Sequence, residues 1–188
     1  VAKPSTEKPR TPLPGKLVVL LAVIGVFSFG VAGDAFLVLR AHDLGFAAAL
    51  IPIAWSVLHA AKVAAAYVVG KNNVQSRLVA ALAWTIGAVG LAVLAVDAPA
   101  TLWIGAALLG VCHGAREPIE KALVRALAPD DARGRAFGAY ALTTGILELP
   151  SGIAIGALWQ IEGGATALLA ALVVVAVAAA LLALTRPR

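Results

Sequence analysis

The sequence predicts an all-α membrane protein, a bundle of six transmembrane helices with both termini in the cytoplasm. Of the 188 residues, 61% are hydrophobic and 13% are charged, whereas soluble domains average about half and about a quarter. The apolar residues form long runs separated by short loops, and the positive charges sort onto alternate loops. The six runs are 17–39, 47–69, 78–96, 100–119, 136–158 and 164–185.

The distribution of lysine and arginine predicts the orientation. When the loops are taken in order, 12 of the 15 Lys and Arg residues lie on one side, while Arg40 alone lies on the other. The remaining two, Lys62 and Arg116, fall inside runs. Because Lys and Arg are retained on the cytoplasmic side during insertion, the crowded side is predicted to be cytoplasmic. We therefore interpret the net charge of +5 as an orientation signal with attraction to anionic lipid, not as nucleic-acid binding.

Each run is long enough to span a bilayer, since a hydrocarbon core of about 30 Å takes roughly 20 helical residues. The first run is too long for the core of a cleaved signal, and we expect it to remain. Residues 1–16 carry four prolines and predict a disordered cytoplasmic linker. Residues 17–185 form the bundle and 186–188 a cytoplasmic tail. A start at Val1 and the absence of Met indicate a fragment or an unusual start codon.

Two sets of three spans predict a 3+3 arrangement of inverted repeats. Small residues in the fifth run indicate where helices approach closely. Gly138, Gly145 and Gly152 recur every seven residues, and Gly152 with Gly156 forms a small-xxx-small pair, so we expect a packing face there. The sixth run has no ionisable residue and is expected to face lipid over much of its circumference.

Ionisable residues inside the runs are the candidates for function. A charge at the bilayer centre costs about 2.5–3.5 kcal/mol, so such residues are expected to face protein or water. They occupy the first, second, fourth and fifth runs, which predicts four helices around a shared polar interior and two facing lipid. The set is Asp34, His59, Lys62, His113, Arg116, Glu117, Glu120 and Glu148.

Three of these residues, His59, Lys62 and Glu148, are deep and have no partner in the local sequence. We favour a translocation pathway for them, in which a buried histidine or carboxylate carries a proton between the two faces. Asp34 has three interpretations. It belongs to the same pathway, caps the outer end of the first helix, or pairs with Arg40.

The fourth run carries a polar stripe of His113, Arg116, Glu117 and Glu120 over two turns. Arg116 and Glu117 are either pathway residues or mutual structural partners. Glu120 lies near the inner end, where it either extends toward the interface or has a structural or gating role. A lone Cys112 offers neither an intrachain disulfide nor a metal set. No cofactor, metal or nucleophile–base pair is predicted, so an enzyme is not expected.

The same region carries a family resemblance. The stretch from His113 to Pro129, followed by Arg133-Gly134-Arg135-Ala-Phe-Gly138, resembles the tenth helix, cytoplasmic loop and start of the eleventh helix of major facilitator superfamily transporters. The stretch from Gly33 to Arg40 is similar to the seventh helix of a group of bacterial members. The resemblance covers 17–185 and corresponds to the C-terminal six-helix bundle, with 1–16 as the linker between the two bundles.

The resemblance implies that helices seven, eight, ten and eleven line the cavity while nine and twelve stay peripheral. It also implies structural or gating roles for Arg133 and Gly134 in the loop. Gly70 and Arg77 match a second family loop, but its acidic position is Val74 here. A gating latch built on that carboxylate is therefore not expected.

Together these features predict half of a secondary active transporter in the bacterial inner membrane. The protein would lie in a lipid bilayer and move a small solute by alternating access, with solute movement coupled to protons. Its partner would be an N-terminal six-helix bundle in the same or another chain. The alternative is a non-transporting six-helix anchor or assembly subunit that reuses the fold.

Overall fold

The computed structural model describes residues 12–31 and 33–185, and over these residues all regular structure is helical. Single 3₁₀ turns, Ala48–Leu50 and Asp130–Ala132, precede the third and sixth α-helices. Most of the predicted linker, residues 1–11, and the predicted tail at 186–188 lie outside the described residues. The helices are α1 (Gly15–Gly30), α2 (Ala35–Asp43), α3 (Ile51–Lys71), α4 (Arg77–Ala95), α5 (Pro99–Leu127), α6 (Arg133–Glu162) and α7 (Gly164–Leu184).

Several helices are long and apolar enough to cross a membrane. Five segments of the described chain meet that description, and α5, with 29 residues, is not among them. Its length suffices, but the ionisable residues in its C-terminal half make it less apolar. A helix of this kind needs protein or water around its polar stripe. The five segments are Gly15–Asp43, Ala48–Lys71, Arg77–Ala95, Asp130–Glu162 and Gly164–Leu184.

The first predicted span, 17–39, is divided into α1 and α2. Helix α1 ends at Gly30, Val31 is extended, and α2 begins after Asp34. Gly30 and Gly33 flank the break, and glycine is a poor helix former. Backbone groups freed by a break at membrane depth are tolerated where they line a cavity. The break brings Asp34 to such a cavity, described below.

Helix α5 lies in the middle of the packing, against α3 along one side and α4 along the other, while α6 packs mainly on α1 and α7. Two glycines of α5 allow the close approach to α3. A Cβ built on Gly110 would meet the carbonyl oxygen of Leu58, and one on Gly114 would meet that of Lys62. This spacing of four residues lets two backbones touch.

The glycines of α6 lie in different surroundings. A Cβ built on Gly138, Gly145, Gly152 or Gly156 would have no heavy atom of the described chain within 4 Å. The prediction that these glycines form a packing face on α6 is therefore wrong within this bundle. The glycine spacing shows where another helix could approach α6, but it does not show whether a helix lies there. Helices α3 and α6 are the least buried of the long apolar helices.

Arg40 ties α2 to the end of α4. The side chain is buried, and its Nε donates to the carbonyl oxygen of Leu94 at 2.7 Å. One terminal nitrogen donates to Ala95 O at 3.3 Å and to Asp97 Oδ1 at 2.6 Å. The guanidinium thus satisfies carbonyls that the end of α4 leaves without an intrahelical donor. An Asp34–Arg40 pair, one of the three sequence interpretations of Asp34, is not formed.

We expect Arg40→Met to lower the free energy of unfolding by about 1.5–3 kcal/mol, because buried carbonyls lose a charged donor. Thermal unfolding in detergent measures the change. Asp97→Asn is the control, since the Asp97 side chain is 79% exposed and its loss leaves the bonds to Leu94 and Ala95 in place. Equal losses for the two variants would show that the carbonyl contacts contribute little.

Candidate functional site

A cavity of about 420 Å³ lies between the α1–α2 junction, α3, α5 and α6. Part of its wall is apolar and includes Val31, Ala35 and Phe36. Helices α4 and α7 contribute nothing to its lining. The wall carries six ionisable side chains, which are Asp34, Lys62, His113, Arg116, Glu117 and Glu148.

A second cavity, of about 540 Å³, shares four of these residues and extends along the same face. The shared residues are Lys62, Arg116, Glu117 and Glu148. Its additional wall comes from Lys121 and from the first half of α6, including Tyr140 and Thr144. The two cavities therefore lie along one polar face of the bundle, which α3 bounds on one side and α6 on the other.

Asp34, at the break between α1 and α2, pairs with His113 on α5. Oδ1 of Asp34 lies 3.0 Å from Nδ1 of His113, and the histidine side chain is largely buried. Because the carboxylate accepts a hydrogen bond, we assign the proton of the neutral ring to Nδ1. Nε2 is buried without a hydrogen-bond partner among the described residues. With a single proton on Nδ1, the ring presents Nε2 as a proton acceptor beside the cavity.

Arg116 is a largely buried cation of the cavity, with a side chain that is 15% exposed. Its Cζ lies 4.9 Å from the centroid of the Phe27 ring, which places the cation over the aromatic face. Its NH1 lies 3.9 Å from Oε1 of Glu120, too far for a hydrogen bond. Within the part of the chain that the structure describes, NH1 is buried and has no hydrogen-bond partner.

Glu120 is the polar centre of the bundle core. It is 1% exposed. Nε1 of Trp84 on α4 donates to Oε1 at 3.0 Å, and the hydroxyl of Tyr140 on α6 donates to Oε2 at 2.8 Å. Phe27 stacks on Trp84 with 4.4 Å between ring centroids. The hypothesis that Glu120 extends toward the interface is wrong, because α4 and α6 cover it and both of its oxygens have donors.

The other carboxylates and Lys62 lie closer to the open side. Glu117 Oε1 lies 2.7 Å from Lys121 Nζ, one turn further along α5, and both side chains are half-exposed. An Arg116–Glu117 pair, which the sequence left open, is therefore not formed. Lys62 on α3 is partly buried and Glu148 on α6 is exposed. Neither makes an ion pair or hydrogen bond among the described contacts.

His59 is not brought into either cavity. Its Nδ1 lies 3.0 Å from the carbonyl oxygen of Trp55, and its ring stacks on Trp55 with 5.5 Å between centroids. The lining of the two cavities contains Lys62 from α3 but not His59. The hydrogen bond and the ring contact of this histidine are thus both with Trp55 of its own helix.

The predicted gating residues also lie away from these cavities. Arg77 donates to the carbonyl oxygen of Thr185 at 3.2 Å, which joins the start of α4 to the end of α7. Arg133 pairs with Asp130 at 2.7 Å on the surface. A Cβ on Gly70 or Gly134 would meet nothing within 4 Å in the described chain.

Residue-by-residue reading of the sequence missed Trp84 and Tyr140. Each places a polar atom inside a long apolar run, and buried indole N–H and phenol O–H groups usually have a partner. That signal was present in the sequence. It indicates that an acceptor is needed, but it does not say that the acceptor is Glu120 of another helix.

Comparison with known proteins adds no assignment. No protein-family model matches the chain, and no curated protein sequence matches it. Among the described residues, no group of three or more His, Cys, Asp or Glu side chains could hold a metal ion.

Proposed function

We propose that this chain is one six-helix half of a secondary active transporter, of the kind that the major facilitator superfamily resemblance implies. In this proposal α1 with α2 forms one span and α3 to α7 form five. The spans are arranged as two inverted repeats of three, with both termini in the cytoplasm and the bundle in a cell membrane. A small solute would reach the cavity by alternating access, driven by protons.

One observation carries the proposal: six ionisable side chains line a single cavity whose walls come from four helical segments. In helices of this apolarity, ionisable side chains are costly unless they face protein or a water-filled space, and such residues commonly mark solute or proton pathways. Of the two helices that contribute nothing to the cavity, α7 is the most apolar of all the helices by composition, and α4 follows only α7 and α1. A non-transporting membrane anchor would not need its ionisable residues to be separated in this way from its most apolar helices.

The open side of the cavity supports a partner bundle. Helices α3 and α6 flank it, and both expose large apolar side chains, among them Val63 and Tyr67 on α3 and Leu149 and Ile153 on α6. An N-terminal six-helix bundle, in the same or another chain, would cover this face and close the pathway. The substrate site would then lie between the two bundles.

We assign the coupling proton to Nε2 of His113. Asp34, bonded to Nδ1, would hold the ring in position and stabilise the imidazolium after protonation. Lys62 and Glu148 lie along the same polar face and would receive the proton or the solute on the way in or out. His59, which contacts its own helix, has no role in this proposal.

The test is solute-driven proton flux in proteoliposomes that hold the chain together with its partner bundle, followed with an internal pH-sensitive dye. We expect His113→Gln to reduce the flux at least about a hundredfold, which is the lower end of the effect of losing an acid–base group. His59→Gln is the matched control and should leave the flux unchanged.

Two results would contradict the proposal. Unchanged flux in His113→Gln would remove the proton assignment. No flux with any member of a broad solute panel, in protein that is correctly inserted and bound to its partner bundle, would favour the non-transporting anchor.

A further inference from the structure

We propose that the cavity binds its solute by a carboxylate group, held by Arg116 and Lys62, with the apolar body of the solute against Val31, Ala35 and Phe36. The inference rests on the proposed function for its biological meaning, because it names the class of solute that the pathway would carry. The binding itself can be measured without transport.

The first argument is the unmet hydrogen-bonding capacity of Arg116. A guanidinium has five N–H donors, and no hydrogen bond from Arg116 is formed within the described residues, although its side chain is 85% removed from solvent. Burying a cation without such bonds is costly. An anionic ligand would supply the missing acceptors.

The neighbouring carboxylates supply a counter-charge but no hydrogen bond, since the carboxylate of Glu120 lies 3.9 Å from NH1 of Arg116. Both oxygens of Glu120 already accept bonds, from Trp84 and Tyr140. Asp34 is bonded to His113, and Glu117 is paired with Lys121. In contrast, Lys62 has no ion pair with any described residue although it lines both cavities. Among the described residues, Lys62, which has no ion pair, and Arg116, which has no hydrogen bond, thus both lie at the cavity, while the one carboxylate of its wall without an ion pair, Glu148, is exposed.

The geometry of Arg116 favours a planar oxyanion. The Phe27 ring occupies one side of the guanidinium, with its centroid 4.9 Å from Cζ, and the N–H groups that remain point outward in the guanidinium plane. A carboxylate matches that fork with two parallel hydrogen bonds, which an alcohol or amide cannot do with equal strength. Lys62, on the facing helix, adds a second positive charge.

The cavity walls limit the size, polarity and charge of the rest of the solute. Its volume of about 420 Å³ falls within the range of about 300–1,000 Å³ that small-molecule sites occupy. Val31, Ala35 and Phe36 provide an apolar wall beside the charged one. Asp34, Glu117 and Glu148 would repel a second negative charge, which favours a monocarboxylate. One carboxylate together with one proton on His113 also adds no net charge to the cavity.

Benzoate is a suitable probe, with benzamide as the neutral analogue of the same shape. We expect calorimetry on the purified chain in detergent to detect benzoate binding and no benzamide binding. Arg116→Gln should raise the dissociation constant of benzoate at least about tenfold, and Lys62→Gln should raise it less. Arg125→Gln, which removes an exposed arginine further along α5, is the matched control and should bind like the parent chain.

Arg116→Lys distinguishes weaker binding from loss of the folded structure, because it keeps the positive charge and removes only the planar guanidinium. It should retain the parent's unfolding temperature and still bind benzoate more weakly. Equal affinity for benzoate and benzamide, or equal weakening by Arg125→Gln, would overturn the inference.

The two proposals fail separately. Benzoate binding without proton flux would leave the carboxylate site standing and remove the transporter. Proton flux driven by amines or neutral solutes, with no benzoate binding, would do the reverse.

Discussion

Replacing Gly114 with leucine should separate α3 from α5 and destroy the native bundle. The Cβ of any larger residue would overlap the carbonyl oxygen of Lys62, with the Cα and carbonyl carbon of Lys62 also within 3 Å. These atoms are backbone, so no side chain can rotate away. Overpacking against movable side chains costs about 1–3 kcal/mol, and we expect the loss here to exceed that range. Thermal unfolding and gel filtration in detergent measure it.

Gly145→Leu on α6 is the matched control for this prediction. Both changes replace a helical glycine with leucine and gain the same helix propensity, about 1 kcal/mol or slightly less. Gly145 has open space within 4 Å in the described chain, so its variant should stay folded and unfold no earlier than the parent. Similar damage from both variants would show that the α3–α5 approach is not a critical contact.

Replacing Glu120 with alanine should produce the second large loss of stability. Trp84 Nε1 and the Tyr140 hydroxyl would lose their acceptor, and the buried Arg116 would lose the carboxylate nearest to it. Removing one member of a buried charged pair typically costs about 3–5 kcal/mol. Thermal unfolding of the purified chain in detergent checks the prediction. Glu120→Gln should lose less, because the amide keeps an oxygen acceptor.

Two further variants separate burial from charge. Glu117→Ala, three residues earlier on α5, removes a half-exposed carboxylate paired with Lys121 and should cost at most about 1 kcal/mol. The double variant Arg116→Met with Glu120→Leu should recover part of the stability lost in Glu120→Ala, since no unpaired charge remains. If Glu117→Ala were as damaging as Glu120→Ala, the buried cluster would not explain the effect.

The sequence predicted the all-helical class and helices able to cross a membrane. Both predictions depend on local properties, namely the length of an apolar run and the cost of a charge within it. The same reasoning predicted which helices carry the ionisable residues, and Lys62, His113 and Glu148 do line one cavity. His59 does not, although its depth in the run is similar.

Only the tertiary structure decided which groups meet. Asp34 pairs with His113, and Glu120 is bonded to Trp84 and Tyr140, in each case between different helices. Helical periodicity predicts which residues share a face, but the neighbour of that face depends on how whole helices pack. For the same reason a Cβ built on Gly110 would meet α3, while one built on Gly145 would meet no atom of the described residues within 4 Å. The apolar pattern likewise did not predict the break between α1 and α2 that places Asp34 at the cavity, because the apolar run continues through the break.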